Sequence, residues 1–219
     1  MPVRPNMTLA VKRLIRDAAR RLPELAHVRA GRILVVAGEA RRASRATIRP
    51  AHFKETGRAH RRGRRKPLVR LKGRKILYVV TLRPLWFVAS TPEQRIDTVL
   101  HELYHVSPRF DGTLHRGRRH TRLPRERYDR RIRALRRRYL AAAPAEVVAP
   151  FAHRGVVKVR MWLERPAAYR PGDYAGRRVY TERQLFHGLM PMRSRRRRRR
   201  ARADHKALAS RRPGGLFPL

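Results

Sequence analysis

The sequence predicts an α+β fold: a short mixed sheet packed on a helix that carries metal-binding side chains, followed by a basic C-terminal extension. Three observations predict it. Lys75 to Trp86 is rich in Ile, Val, Leu, Tyr and Trp and reads as one strand or two short ones. Immediately after it, Pro92 to about Val106 carries Ile96, Val99, Leu100 and Leu103 at helical spacing. The other end of the chain, from Met192, is low-complexity and basic, with six consecutive arginines at Arg195–Arg200.

The elements follow in order. Thr8 to Leu22 is an amphipathic helix with Leu9, Leu14, Ile15, Ala18, Ala19 and Leu22 toward the core, closed by Pro23. Arg32 to Ala37 is a strand. Ala51 to Lys66 is polar and basic and reads as a loop. Leu68 to Leu71 and Lys75 to Leu82 are strands around a turn at Lys72-Gly73. The next helix has a complete start signal: Thr91 as N-cap, Pro92 at the first helical position, and Gln94 closing a capping box. It stops before Pro108, and Phe110-Asp111-Gly112 turns the chain. A helix from Leu123 or Pro124 places Tyr128, Ile132, Leu135 and Tyr139 on one face and arginine on almost all others. Ala141 to Pro150 reads as a linker and Val156 to Leu163 as a strand. The expected division is a site-bearing domain over 1–145, a small β-containing extension over 146–192, and a disordered arginine-rich tail over 193–219.

Composition narrows the function. The hydrophobic fraction of 42% is enough to bury a core. Cysteine is absent, which excludes a disulfide framework, a zinc ribbon and thiol catalysis. No run reaches 18 apolar residues, so no membrane span is expected. The N-terminus has no uninterrupted apolar stretch behind its basic residues, so it does not read as a secretory signal. A cytoplasmic location is the expectation. Lys and Arg number 57 against 15 Asp and Glu, a net charge of +42. Arginine-rich coding bias explains Arg in place of Lys but not the shortage of acids. Self-repulsion of this size calls for a polyanionic partner, with nucleic acid the most abundant candidate, met by the basic surface and the arginine tail.

The chemistry lies in His101-Glu102-Leu103-Tyr104-His105, which spells H-E-x-x-H. Histidines four apart on a helix project from one face. Two neutral imidazoles so placed hold one Zn²⁺ at about 2.0–2.1 Å each, and Glu102 can take a proton from the water that the ion activates. Strand, short turn and metal-binding helix is the zincin-like arrangement. Catalytic zinc needs a third protein ligand. Asp111, His115, His120 and Glu126 all follow the motif, and the residues alone leave the choice among them open.

The stretch from Tyr78-Val79-Val80 through Glu93, the H-E-x-x-H helix and Phe110-Asp111-Gly112 to His120 resembles metallopeptidases of phages and prokaryotes. These are similar in turn to SprT-like zinc proteases, including the Spartan group, which degrades proteins crosslinked to DNA. The resemblance implies a zinc peptidase acting on a protein substrate, with Glu102 as general base and His101, His105 and His120 as ligands. His120 stands at the separation from His105 at which SprT-like proteins place their third histidine. The chain departs from that pattern in lacking zinc-ribbon cysteines and in having Arg119 where a glycine usually precedes that histidine. Two rival expectations remain: a non-catalytic nucleic-acid-binding protein with an accidental or vestigial motif, and a structural zinc whose four positions are all filled by protein.

Overall fold

Asn6 starts the first helix, α1 (Met7–Arg21): its side-chain oxygen accepts from the Leu9 N–H across 3.1 Å. Met7, Val11, Leu14, Ile15 and Ala18 recur every three or four residues and are fully buried. The computed structural model describes residues 4–39, 44–52, 62–118, 124–172 and 177–193.

Strand β1 (Ile33–Ala37) is buried at every position. Its alternating side chains enter two different cores, because successive residues of a strand face opposite sides. Ile33, Val35 and Ala37 join α1 in the larger core. Leu34 and Val36 join Val69, Leu71, Ile76 and Tyr180 in a smaller one on the far face. β1 is therefore the middle of a layered structure and reads as a continuous apolar run, as strands covered on both faces do.

Seven further strands complete two sheets. They are β2 (Ala46–Pro50), β3 (Leu68–Leu71), β4 (Arg74–Lys75), β5 (Tyr78–Leu82), β6 (Gly155–Trp162), β7 (Val179–Tyr180) and β8 (Leu185–Met192). The main sheet has the order β2-β5-β1-β6-β8, and the small one β4-β3-β7. The main sheet is mixed: β5 and β6 run parallel to β1, while β2 is antiparallel to β5 and β8 to β6. The fold is thus α+β with mixed sheets, as the sequence predicts.

The helices lie over the sheet on the side of the larger core. After the single turn α2 (Pro84–Phe87) comes α3 (Pro92–Tyr104), whose capping box forms as expected: Gln94 N–H reaches Thr91 Oγ1 at 3.3 Å and Thr91 N–H reaches Gln94 Oε1 at 3.1 Å. Ile96, Val99, Leu100 and Leu103 are buried, and so are Tyr128, Ile132, Leu135 and Tyr139 of α4 (Arg125–Ala142).

One expectation is corrected, and two features are added to the sequence reading. Residues 141–150 are not a linker: α4 continues to Ala142, and Ala145–Ala152 forms a further helix, α5. Pro144 caps its start and Pro150 lies inside its last turn, so propensity alone gives little sign of it. Packing supplies the stability, with Phe151 fully buried in the larger core. The edge strands β2 and β8 are additions to the sequence reading. β8 contains Gly188 and Pro191, which conceal a strand in sequence but are admissible at a sheet edge. A Cβ at Gly188 would stand 2.6 Å from Met161 Sδ, so the flexible Met161 side chain would have to shift to admit one. The stretch 146–192, expected as an extension, supplies β6 and β8 to the same sheet as β1. Val157, Val159, Met190 and Met192 share a core with Leu100 and Leu103.

One buried charge ties these parts to α3. Arg95 is 1% exposed, and its guanidinium donates to the carbonyls of Phe87, Val88, Phe151, His153 and Arg193 at 2.6–3.4 Å. The ends of α2, α5 and β8 are thereby held against the site helix. Among the described residues no helix is long and apolar enough to cross a membrane. The tail beyond Arg193 and the centre of the Ala51–Lys66 segment lie outside the described residues.

Candidate metal centre

The last two turns of α3 carry the site. The apolar face of α3 fixes its rotation on the sheet. Beside that face runs a polar stripe of Gln94, Asp97, Thr98, His101 and His105, spaced three or four residues apart. The imidazoles of His101 and His105 converge, with Nε2 atoms 3.3 Å apart and rings at 81°. His105 Nδ1 lies 2.8 Å from the Arg118 carbonyl oxygen. A carbonyl only accepts, so Nδ1 carries a proton, and in the neutral ring Nε2 presents its lone pair.

This geometry fits a metal ion. Two donors about 2.0–2.1 Å from a tetrahedral centre stand about 3.3–3.4 Å apart, which is the separation found. A ring N–H held by a backbone carbonyl is also the usual support of a ligating histidine.

Glu102 points to the side of α3 that meets β2. Its Oε2 accepts the Ile48 N–H at 2.7 Å. The residue is 7% exposed, and burial pushes its carboxyl up to about 8, while the Ile48 hydrogen bond acts in the opposite direction. Tyr128 of α4 completes the cluster: its hydroxyl lies 3.2 Å from His105 Nε2 and its ring packs edge-on against His101. Burial, and then the neighbouring Glu102, raise the Tyr128 phenol above its ordinary range, so it remains a proton donor at neutral pH.

Both His101 and Glu102 open onto a cleft of about 840 Å³. Arg45, Trp86, Asp97, Asp129, Arg133 and Arg136 also line it. Asp97 is paired with Arg136 at 2.7 Å, and desolvation still raises its carboxyl above the usual range.

The proposed third ligands meet different fates. Asp111 Oδ1 accepts from the N–H and hydroxyl of Thr113 at 3.0 and 2.6 Å, capping the turn in which Phe110 and Gly112 have positive φ. That turn is anchored on β5, where the Tyr78 hydroxyl accepts the Gly112 N–H and donates to the Thr113 carbonyl. His115 holds the end of α3 through its backbone N–H, 2.8 Å from the His105 carbonyl, and its buried Nδ1 has no hydrogen-bond partner among the described residues. Glu126 is exposed on the first turn of α4. Among the described residues no third His, Cys, Asp or Glu joins His101 and His105 in a group able to hold a metal. His120 lies outside the described residues.

Sequence reasoning missed the cleft wall. Asp97 and Arg136 had no local motif, although the stripe Gln94, Asp97/Thr98, His101 was there to be read at helical spacing. The Ile48 N–H left no side-chain signal at all. No protein-family model, no curated protein and no solved structure matches this chain.

Proposed function

We propose that the protein is a zinc-dependent metallopeptidase of zincin-like type. The observation that carries the reading is the pair of converging imidazoles at zinc-ligand separation with a buried carboxyl between them in sequence. His101 and His105 supply two donors, and the resemblance puts His120 forward as the third. A zinc ion held by these side chains would supply an activated water and a Lewis acid for the scissile carbonyl. Zinc held there would favour the ionised form of the Glu102 carboxyl, which burial raises to about 8 in the metal-free protein, and the carboxylate would then take a water proton and pass it to the leaving amine. The Ile48 N–H fixes one oxygen of that carboxyl on β2, at the wall of the cleft. The Tyr128 hydroxyl donates to the oxygen on which negative charge develops. The cleft takes a peptide segment alongside α3.

Substrates bound on nucleic acid fit this reading best. Arg127, Arg130, Arg131, Arg137 and Arg138 are exposed on α4, and the flank of the same helix carrying Asp129, Arg133 and Arg136 lines the cleft. A phosphate backbone lying along the exposed face would bring proteins bound to it near His101 and Glu102. The net charge of +42 alone also favours a second reading, a non-catalytic nucleic-acid-binding protein. The experiment that separates them is cleavage of an unstructured protein such as casein by the wild type and by Glu102→Gln in the presence of zinc. The proposal expects cleavage by the wild type alone. Equal cleavage by both removes Glu102 as the base, and cleavage by neither favours the second reading.

A further inference from the structure

We infer that Arg118 is a positioning residue of this centre, acting through His105. The inference rests on the zinc reading for its purpose but not for its geometry. Three contacts of one residue close on the end of α3. The Arg118 carbonyl accepts the His105 Nδ1–H at 2.8 Å. Its guanidinium donates through Nη1 to the Tyr104 carbonyl at 3.3 Å and lies 4.2 Å over the Tyr104 ring. The last carbonyls of a helix have no partner within it, and they attract cations. Arg118 satisfies the Tyr104 carbonyl, and His115 N–H satisfies the next one, on His105. The Arg118 N–H in turn donates to the His115 carbonyl at 3.3 Å. Residues 115–118 therefore cap α3 and, in the same arrangement, set the proton on the ring of its final histidine.

The consequence is chemical. With the Nδ1 proton held by a carbonyl, Nε2 faces His101 as a lone pair before any ion arrives. If the guanidinium no longer anchors the segment, its carbonyl drifts from Nδ1. His105 then samples the other tautomer, which has a proton where the donor atom should be. Metal-ligand histidines that lose such support lose about ten- to a hundredfold in metal affinity.

The test uses nitrogen-15 NMR of the full-length, metal-free chain together with zinc titration of the wild type, Arg118→Ala and Arg118→Lys. The expected results are a wild-type His105 protonated on Nδ1, mixed tautomers and about ten- to a hundredfold weaker zinc binding in Arg118→Ala, and near wild-type behaviour in Arg118→Lys, which keeps a cation for the Tyr104 carbonyl and ring. A wild-type His105 protonated on Nε2, or an Arg118→Ala protein with unchanged tautomer and zinc affinity, would overturn it. If no form binds zinc, the peptidase proposal fails, and the tautomer measurement still decides the role of Arg118.

Discussion

Ile48 and Glu102 meet across 2.7 Å, backbone N–H to carboxyl oxygen, so that the edge strand of the sheet holds the acid of the site helix. An edge strand leaves every second N–H without a sheet partner. Here one of them meets a side chain that is itself buried, and each satisfies the other. The Ile48 N–H orients Glu102 and favours its charged form, but desolvation dominates its carboxyl.

That burial makes a pH prediction for the metal-free protein. The carboxyl is raised from 4.5 to about 8. Well below pH 4.5 the folded and unfolded chains both hold the proton, and the stabilising contribution is fully present. Between 4.5 and 8 the unfolded chain releases the proton and the folded chain keeps it, so stability falls as pH rises. The total loss is on the order of 5 kcal/mol. Melting temperatures of wild type and Glu102→Gln compared from pH 5 to 9 should show the wild type losing ground steadily. A difference between them that does not change with pH contradicts the assignment.

Tyr128→Phe should retain zinc and fold, because only a hydroxyl 3.2 Å from His105 Nε2 is lost. Removing a donor to developing charge costs roughly 10²-fold in kcat, with little change in KM. A variant with wild-type kcat would take Tyr128 out of the chemistry.

The exposed face of α4 predicts a position-dependent response to charge removal. Replacing Arg127, Arg130 and Arg137 by Gln should make the logarithmic salt dependence of duplex DNA binding shallower by about 2–3, if each arginine neutralises one phosphate. Replacing the exposed Arg29, Arg74 and Arg183, which lie elsewhere, should do much less. Equal effects of the two triple variants would mean that total charge, not this face, governs binding.

These expectations divide according to how local their causes are. The start of α3 was legible because Thr91, Pro92 and Gln94 form the cap among themselves, and its rotation was legible from Ile96, Val99, Leu100 and Leu103. The convergence of His101 and His105 follows from helical spacing alone. What the sequence concealed depends on distant partners. β2 is a strand because Ile48 pairs with Val80 on one side and serves Glu102 on the other. β8 pairs along all of β6 despite Gly188 and Pro191. α5 is held by Phe151 in a core shared with α1. The roles of Asp111 and His115 belong to the same class. Both sit at suggestive distances along the chain from His105, and both are engaged in shaping the segment after α3.

Zinc content of the purified chain is the most direct measurement. The account predicts about one zinc per chain in the wild type and near-complete loss in His101→Ala and in His105→Ala, with both variants still folded. A wild type that takes up no zinc, or one whose zinc is unaffected by both substitutions, would contradict it.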